Sequence, residues 1–190
     1  MYVRQLTLCG VLASTVLVAT ATVASGQTGE TFTATATVKT AGGASATAPV
    51  TISVARTMPQ AEADKLSAAF KSGGAAGLRK ALKGVAPTGS VTLGKGKPTP
   101  TRITIERTTD KGRLLTIVTD TPILFLGAGV PKAKSKAGYD FAVVDIEVDA
   151  TGSGAGTLAP AAKIVVKDGA FVVEDFASEA VQLTAVSKAR

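Results

Sequence analysis

The sequence predicts a mostly β (α+β) protein: an antiparallel β-sandwich or open barrel of about nine strands, with one helical hairpin inserted at 57–84. Three observations carry this reading. Short segments alternate apolar and polar residues with period two. Glycine-containing turns separate many of them at hairpin spacing. Strands and helices do not alternate in the way a doubly wound parallel sheet requires.

Residues 28–39, "TGETFTATATVK", place Phe32, Ala34, Ala36 and Val38 on one side and Thr31, Thr33, Thr35 and Thr37 on the other. That is the pattern of a half-buried strand with a hydroxyl-bearing wet face. After "TAGGASAT", the segment "APVTISVAR" repeats it with Val50, Ile52 and Val54, so the two read as an antiparallel hairpin. At Thr57 the period changes. Thr57, Pro59 and Gln60 suit a capping-box start, Glu62 and Asp64 suit the positive end of a helix, and Leu66, Ala69 and Phe70 share a face. Gly73-Gly74 stops this helix, and a second one, with Leu78 and Leu82 one turn apart, runs to Gly84.

Beyond it the chain returns to strands. A short strand is expected over 90–93, and "RITIERT" and "RLLTIVTD" flank an Asp110-Lys111-Gly112 turn. "TPILFLG" and the long run Tyr139–Asp149 follow, then a flexible "ATGSGAG" loop. "LAPAAKIVVK" and "AFVVEDF" flank Lys167-Asp168-Gly169, and "EAVQLTAV" is the last strand, with a helix over 178–183 as the alternative. Ile123 to Leu126, Phe141, Val143, Val144, Phe171 to Val173 and Phe176 make runs apolar on both strand faces, as in strands covered on both sides.

The N-terminus carries Arg4, an apolar stretch from Leu6 to Leu17, and small residues from Ala19 to Gly26. This order reads as a secretory signal peptide over 1–26, cleaved between Ala21 and Gln27, leaving 27–190 as a single β-rich domain that is secreted or periplasmic. The stretch is short for a membrane span of about 20 residues, and Thr15, Thr20 and Thr22 dilute it. Cys9 lies inside the apolar stretch behind bulky Leu8, the wrong setting for a lipidated cysteine. It is the only cysteine, so the mature domain has neither disulfide nor thiol chemistry. Its core must hold it together, as a chain of about 160 residues can when it buries about 70% of its unfolded surface.

Histidine is absent. That excludes Ser-His-Asp and Cys-His catalysis and any imidazole zinc site, and without cysteine no common structural zinc site remains. Catalysis by carboxylate, lysine or tyrosine stays open. No cofactor is expected. The chain has 21 basic and 14 acidic residues, a net charge of +7, and such a chain is drawn to anionic surfaces; outside the cytoplasm these are lipid head groups, wall polymers and acidic glycans.

The stretch "LFLGAGVPKAKSKAGYDF" resembles a nucleotide motif only at first sight. A P-loop needs a second framing glycine before its lysine, and a dinucleotide fingerprint needs glycine where Lys132 stands. What remains is a basic loop with Lys132, Lys134 and Lys136 on one side if extended. A second basic loop, "GKGKPTPTR", offers Lys95, Lys97 and Arg102. Brought together, the two would make an anion-binding patch; apart, they are the lysines that keep edges and loops soluble. Nucleic acid is not expected, because the loops lack interleaved aromatics for base stacking.

Asp145, Glu147 and Asp149 alternate in "VVDIEVDATGSG", faintly in the manner of a calcium loop, but Ala150 stands where such a loop turns on glycine. Ile146 and Val148 between them fit a strand with one wet face. Asp140, Asp145, Glu147, Glu174 and Asp175 contain possible carboxylate pairs for glycoside hydrolysis, but the chain has no tryptophan and only two tyrosines to build a sugar platform. Phe125 and Phe141 are the candidates for lining an apolar pocket if the sheet curls into a cup.

The expected function is an exported, non-catalytic interaction domain of the cell envelope or extracellular space, engaging a protein or anionic polymer through its basic loops, with peripheral membrane contact open and oligomeric state unassigned. The alternatives are a carrier of a small apolar or amphipathic ligand in a sheet-lined pocket and a carboxylate-based hydrolase.

Overall fold

The computed structural model describes residues 29–39, 43, 45–123, 138–177 and 179–189. The expected signal peptide, Phe125, and Lys132, Lys134 and Lys136 lie outside the described residues. The elements are β1 (Glu30–Lys39), β2 (Ser45–Val54), α1 (Gln60–Leu82), β3 (Gly89–Leu93), β4 (Thr99–Thr109), β5 (Gly112–Thr119), β6 (Phe141–Val148), β7 (Ser153–Lys167), β8 (Ala170–Phe176) and β9 (Val181–Lys188). Every strand pairing is antiparallel, in the order β6-β5-β4-β3-β2-β1-β9-β7-β8, and β6 also pairs with β7. That last pairing closes eight strands into a barrel and leaves β8 as an extra strand on β7.

Closure corrects the expected sandwich or open barrel. Its cause is the length of β7. One edge of this strand pairs with β6 from Gly154 to Ala162; the other pairs with β9 from Ser153 to Leu158 and then with β8 from Ala162 to Lys167. The "ATGSGAG" segment is likewise not all loop, because β7 begins at Ser153. Gly154 and Gly156 serve close backbone approach there: an added Cβ would lie 1.9 Å from the Glu147 carbonyl oxygen and 2.2 Å from that of Asp145.

The expected helical hairpin is corrected to one helical element, α1, with no loop inside it. Its backbone leaves helical geometry at Gly74 (φ 58, ψ −151), a conformation open essentially to glycine alone. This break takes the place of the expected stop. The N-cap position is Pro59, with no side-chain cap; its carbonyl accepts from the amides of Glu62 and Ala63. Arg56 ties the helix start to its exit, pairing with Glu62 at 2.9 Å and donating to the Ala86 carbonyl at 3.3 Å. No helix among the described residues is long and apolar enough to cross a membrane.

Period-two alternation sorts side chains into two cores. Phe32, Ala36, Val50, Ile52, Leu115, Ile117, Val144, Ile146, Leu158 and Leu183 fill the barrel. Outside it, Leu66, Leu78 and Leu82 of α1 cover Ile103, Val118, Phe141, Val143 and Ala159, together with Ile164 and Phe171 of the β7–β8 ribbon. This accounts for β6, apolar on both faces: Val144 and Ile146 point into the barrel while Phe141 and Val143 lie under the helix. Ile123 is buried without belonging to a strand, so the expected "TPILFLG" strand does not form over its described part.

Candidate functional site

The alternating strand directions give the barrel two ends with different chemistry. At one end β3 turns into β4 through residues 94–98. Gly94 takes φ 58, its amide donates to the Pro49 carbonyl at 2.7 Å, and the Gly96 amide donates to the Leu93 carbonyl at 3.0 Å. This tight turn exposes Lys95 and Lys97. β5 ends at Thr119 and β6 begins at Phe141 at the same barrel end. β1 ends there with exposed Lys39, whereas exposed Lys167 stands at the tip of the β7–β8 ribbon, beyond the barrel pairings of β7. Among the described residues, Lys39, Lys95, Lys97 and Lys167 make no ion pair with a carboxylate, nor do the nearby acids Asp168 and Glu179 with a cation.

Arg102 differs from its lysine neighbours. Its Nε meets Asp120 Oδ2 at 2.9 Å and its Nη1 donates to the Val85 carbonyl at 2.9 Å. It therefore braces the exit of α1 against β4 and the end of β5. Phe141 is fully buried beneath α1.

The opposite mouth carries a group of charges that the sequence reading missed. Arg113, on β5, grips both carboxylate oxygens of Glu30 at 2.9 and 2.8 Å and reaches Glu106 at 3.3 Å. Its guanidinium sits 5.8 Å from the centroid of the Phe32 ring, within cation–π range. Lys188 closes on Glu30 at 2.6 Å. Burial alone would raise the Glu30 carboxyl, but hydrogen bonds from Lys188 and Arg113 outweigh it and hold the group below its ordinary value. Outside these pairs lies an open cleft of about 350 Å³, lined by Glu106, Arg113, Asp149 and Lys188 among others. The signal was present in the sequence as phase. Glu30 is in step with inward Phe32, and Arg113 with inward Leu115 and Ile117.

The acidic candidates occupy separate settings. Asp145 accepts from the Thr116 hydroxyl at 2.7 Å on the outer barrel face. Burial raises its carboxyl, opposed by that hydrogen bond and by the charge of Arg107. Glu147 pairs with Lys111 at 3.8 Å. Asp149 lies past the end of β6, where one oxygen accepts from the Thr151 hydroxyl at 2.6 Å, the Thr151 amide at 2.8 Å and the Ser153 amide at 3.0 Å. The Thr151 hydroxyl, then the Ser153 amide, hold its carboxyl low. Among the described residues no group of three His, Cys, Asp or Glu side chains is placed to hold a metal ion. Of the remaining acids, Asp140 pairs with Arg79 at 3.2 Å, Glu174 pairs with Lys163 at 2.6 Å, and Asp175 accepts from the Tyr139 hydroxyl.

No family model, curated protein or solved structure matches this chain.

Proposed function

We propose that the protein is an exported, non-catalytic binding domain of the cell envelope or extracellular space, and that its basic barrel end engages an anionic polymer or protein surface. The observation that carries the reading is topological. The Lys95–Lys97 turn, the end of β5 and the start of β6 share one end of the barrel with Lys39. At the other end the charges are largely committed to one another through Glu30, Arg113, Glu106 and Lys188. Clustered cations at one pole focus an attractive field for polyanions.

Two further observations favour surface binding over the alternatives. The barrel interior is filled by side chains such as Phe32, Ile52, Leu115, Ile146 and Leu158, all under 2% exposed, which favours surface engagement over enclosure of an apolar ligand. The acids Asp140, Asp145, Glu147, Glu174 and Asp175 each have their own partner, which does not favour a shared acid/base cleft.

The test is elution from an immobilised sulfated polysaccharide. Wild type elutes at higher salt than a variant in which Lys95, Lys97, Lys132, Lys134 and Lys136 are all replaced by Gln. Identical elution contradicts the reading. Export is tested by the intact mass of protein recovered outside the cytoplasm, which should correspond to cleavage between Ala21 and Gln27; a mass retaining Met1 contradicts it.

A further inference from the structure

Four of the five described arginines hold a carboxylate, as do Lys111, Lys163 and Lys188. Arg56 holds Glu62 through two contacts, at 2.9 and 3.2 Å. Arg79 holds Asp140 at 3.2 Å, Arg102 holds Asp120 at 2.9 Å, and Arg113 grips both oxygens of Glu30. Arg107 is exposed on the outer face of β4, where its charge acts on Asp145; it lies on the half of that strand away from the lysine turn. At the basic end, therefore, the described guanidinium is already committed, and the cations that face water without a carboxylate partner are Lys39, Lys95 and Lys97.

The distinction has chemical content. A guanidinium is a planar fork that matches carboxylate or phosphate bidentately and so recognises geometry. An ammonium is a hydrated point charge with freely turning donors. Lys95 and Lys97 stand on an exposed turn beside Gly94 and Gly96, with no side-chain hydrogen bond among the described residues to hold either ammonium in one place. Such a surface gains affinity mainly by releasing counterions from a charged polymer.

We infer, resting on the binding reading above, that the basic end reads charge density and not the chemistry of the anionic group. A flexible chain of repeating anions is bound alike whether the charge comes from phosphate or from carboxylate.

The experiment titrates the full mature domain with inorganic polyphosphate and with polyglutamate of matched charge and length, over a salt series. The expected result is equal affinity within about threefold at every salt concentration, with log K linear in log salt. Replacing Lys95 and Lys97 by Gln lowers that slope by about 1.5 for both polymers, at roughly 0.7–0.9 per lost contact. Replacing them by Arg leaves the ratio of affinities within about threefold of unity. Tenfold or greater preference for one polymer, or a preference created by the Lys95→Arg, Lys97→Arg variant, overturns the inference while leaving the binding reading standing. No binding to either polymer at low salt overturns both. Circular dichroism of each variant confirms that the fold is retained.

Discussion

Arg113 on β5 donates from Nη2 to both oxygens of Glu30 on β1 at 2.8–2.9 Å, although β4, β3 and β2 separate their strands around the barrel wall. The pair therefore spans the mouth instead of running along the sheet. Phe32 supports it from the barrel interior, and Lys188 adds a second cation to Glu30.

Because Glu30 is only 18% exposed, removing Arg113 leaves a poorly hydrated charge held by Lys188 alone. Arg113→Gln should destabilise the domain by about 2 kcal/mol, as expected for loss of charge-assisted hydrogen bonds. Arg113→Lys should recover part of this, since an ammonium keeps the charge but not the fixed pair of nitrogens that reach Glu30 and Glu106. Urea denaturation measures both; a change under about 0.5 kcal/mol for Arg113→Gln would mean that the mouth pair is ornamental.

Glu30 and Asp145 should respond to pH in opposite senses. The Glu30 carboxyl is held below its ordinary value of 4.5, so the stability it contributes is fully present above 4.5 and is lost as pH falls through its folded value. Glu30→Gln should thus be less stable than wild type at neutral pH, with the gap closing in acid. The Asp145 carboxyl is raised above 3.8, so its relative stabilisation is full below 3.8 and is lost as pH rises through its folded value. Asp145→Asn keeps an acceptor for Thr116 and should be more stable than wild type at neutral pH, read as a higher Tm. The gain should vanish near pH 3. Gaps that do not move with pH would contradict both assignments.

Two adjacent glycines in α1 should behave oppositely. Gly74 holds φ 58 and ψ −151, so Gly74→Ala should cost about 1–3 kcal/mol through backbone strain. Gly73 has open space where a Cβ would sit and no left-handed φ, so Gly73→Ala should stabilise by about 0.5–1 kcal/mol through helix propensity. Equal effects at the two positions would show that the break at Gly74 is absent in solution.

Local rules were legible in the sequence where one physical cause dominates. The alternation of Phe32, Ala34, Ala36 and Val38 with threonines did mark inward and outward faces. The Lys167-Asp168-Gly169 turn forms as expected, with Asp168 at φ 50 and Gly169 at φ 76, the left-handed pair that a two-residue hairpin needs. The apolar runs of β6 are covered on both faces, as their composition required. Long-range outcomes were less legible. Whether β6 finds β7 depends on which edges remain free after every other pairing, and no local period records that. Gly154 and Gly156 read as flexible loop because a glycine required for backbone approach looks the same in one dimension. Of the candidate site, the lysine turn at Lys95 and Lys97 was legible; the Arg113–Glu30 pair was not, because it joins strands distant in sequence and only barrel closure brings their inward-phase charges together. The commitment of Arg102 to Asp120 rests on contacts between β4, the exit of α1 and the end of β5, which composition does not encode.

The central claim is that one barrel end, and not net positive charge as such, carries binding. It is tested most directly by two variants of equal net charge: Lys95→Gln with Lys97→Gln at the basic end, and Lys80→Gln on α1 with Lys83→Gln at its C-cap, where both lysines are also exposed. Affinity for polyphosphate at low salt is measured for each. The account predicts a several-fold loss for the turn variant and near wild-type affinity for the helix variant. Equal losses in the two would contradict it.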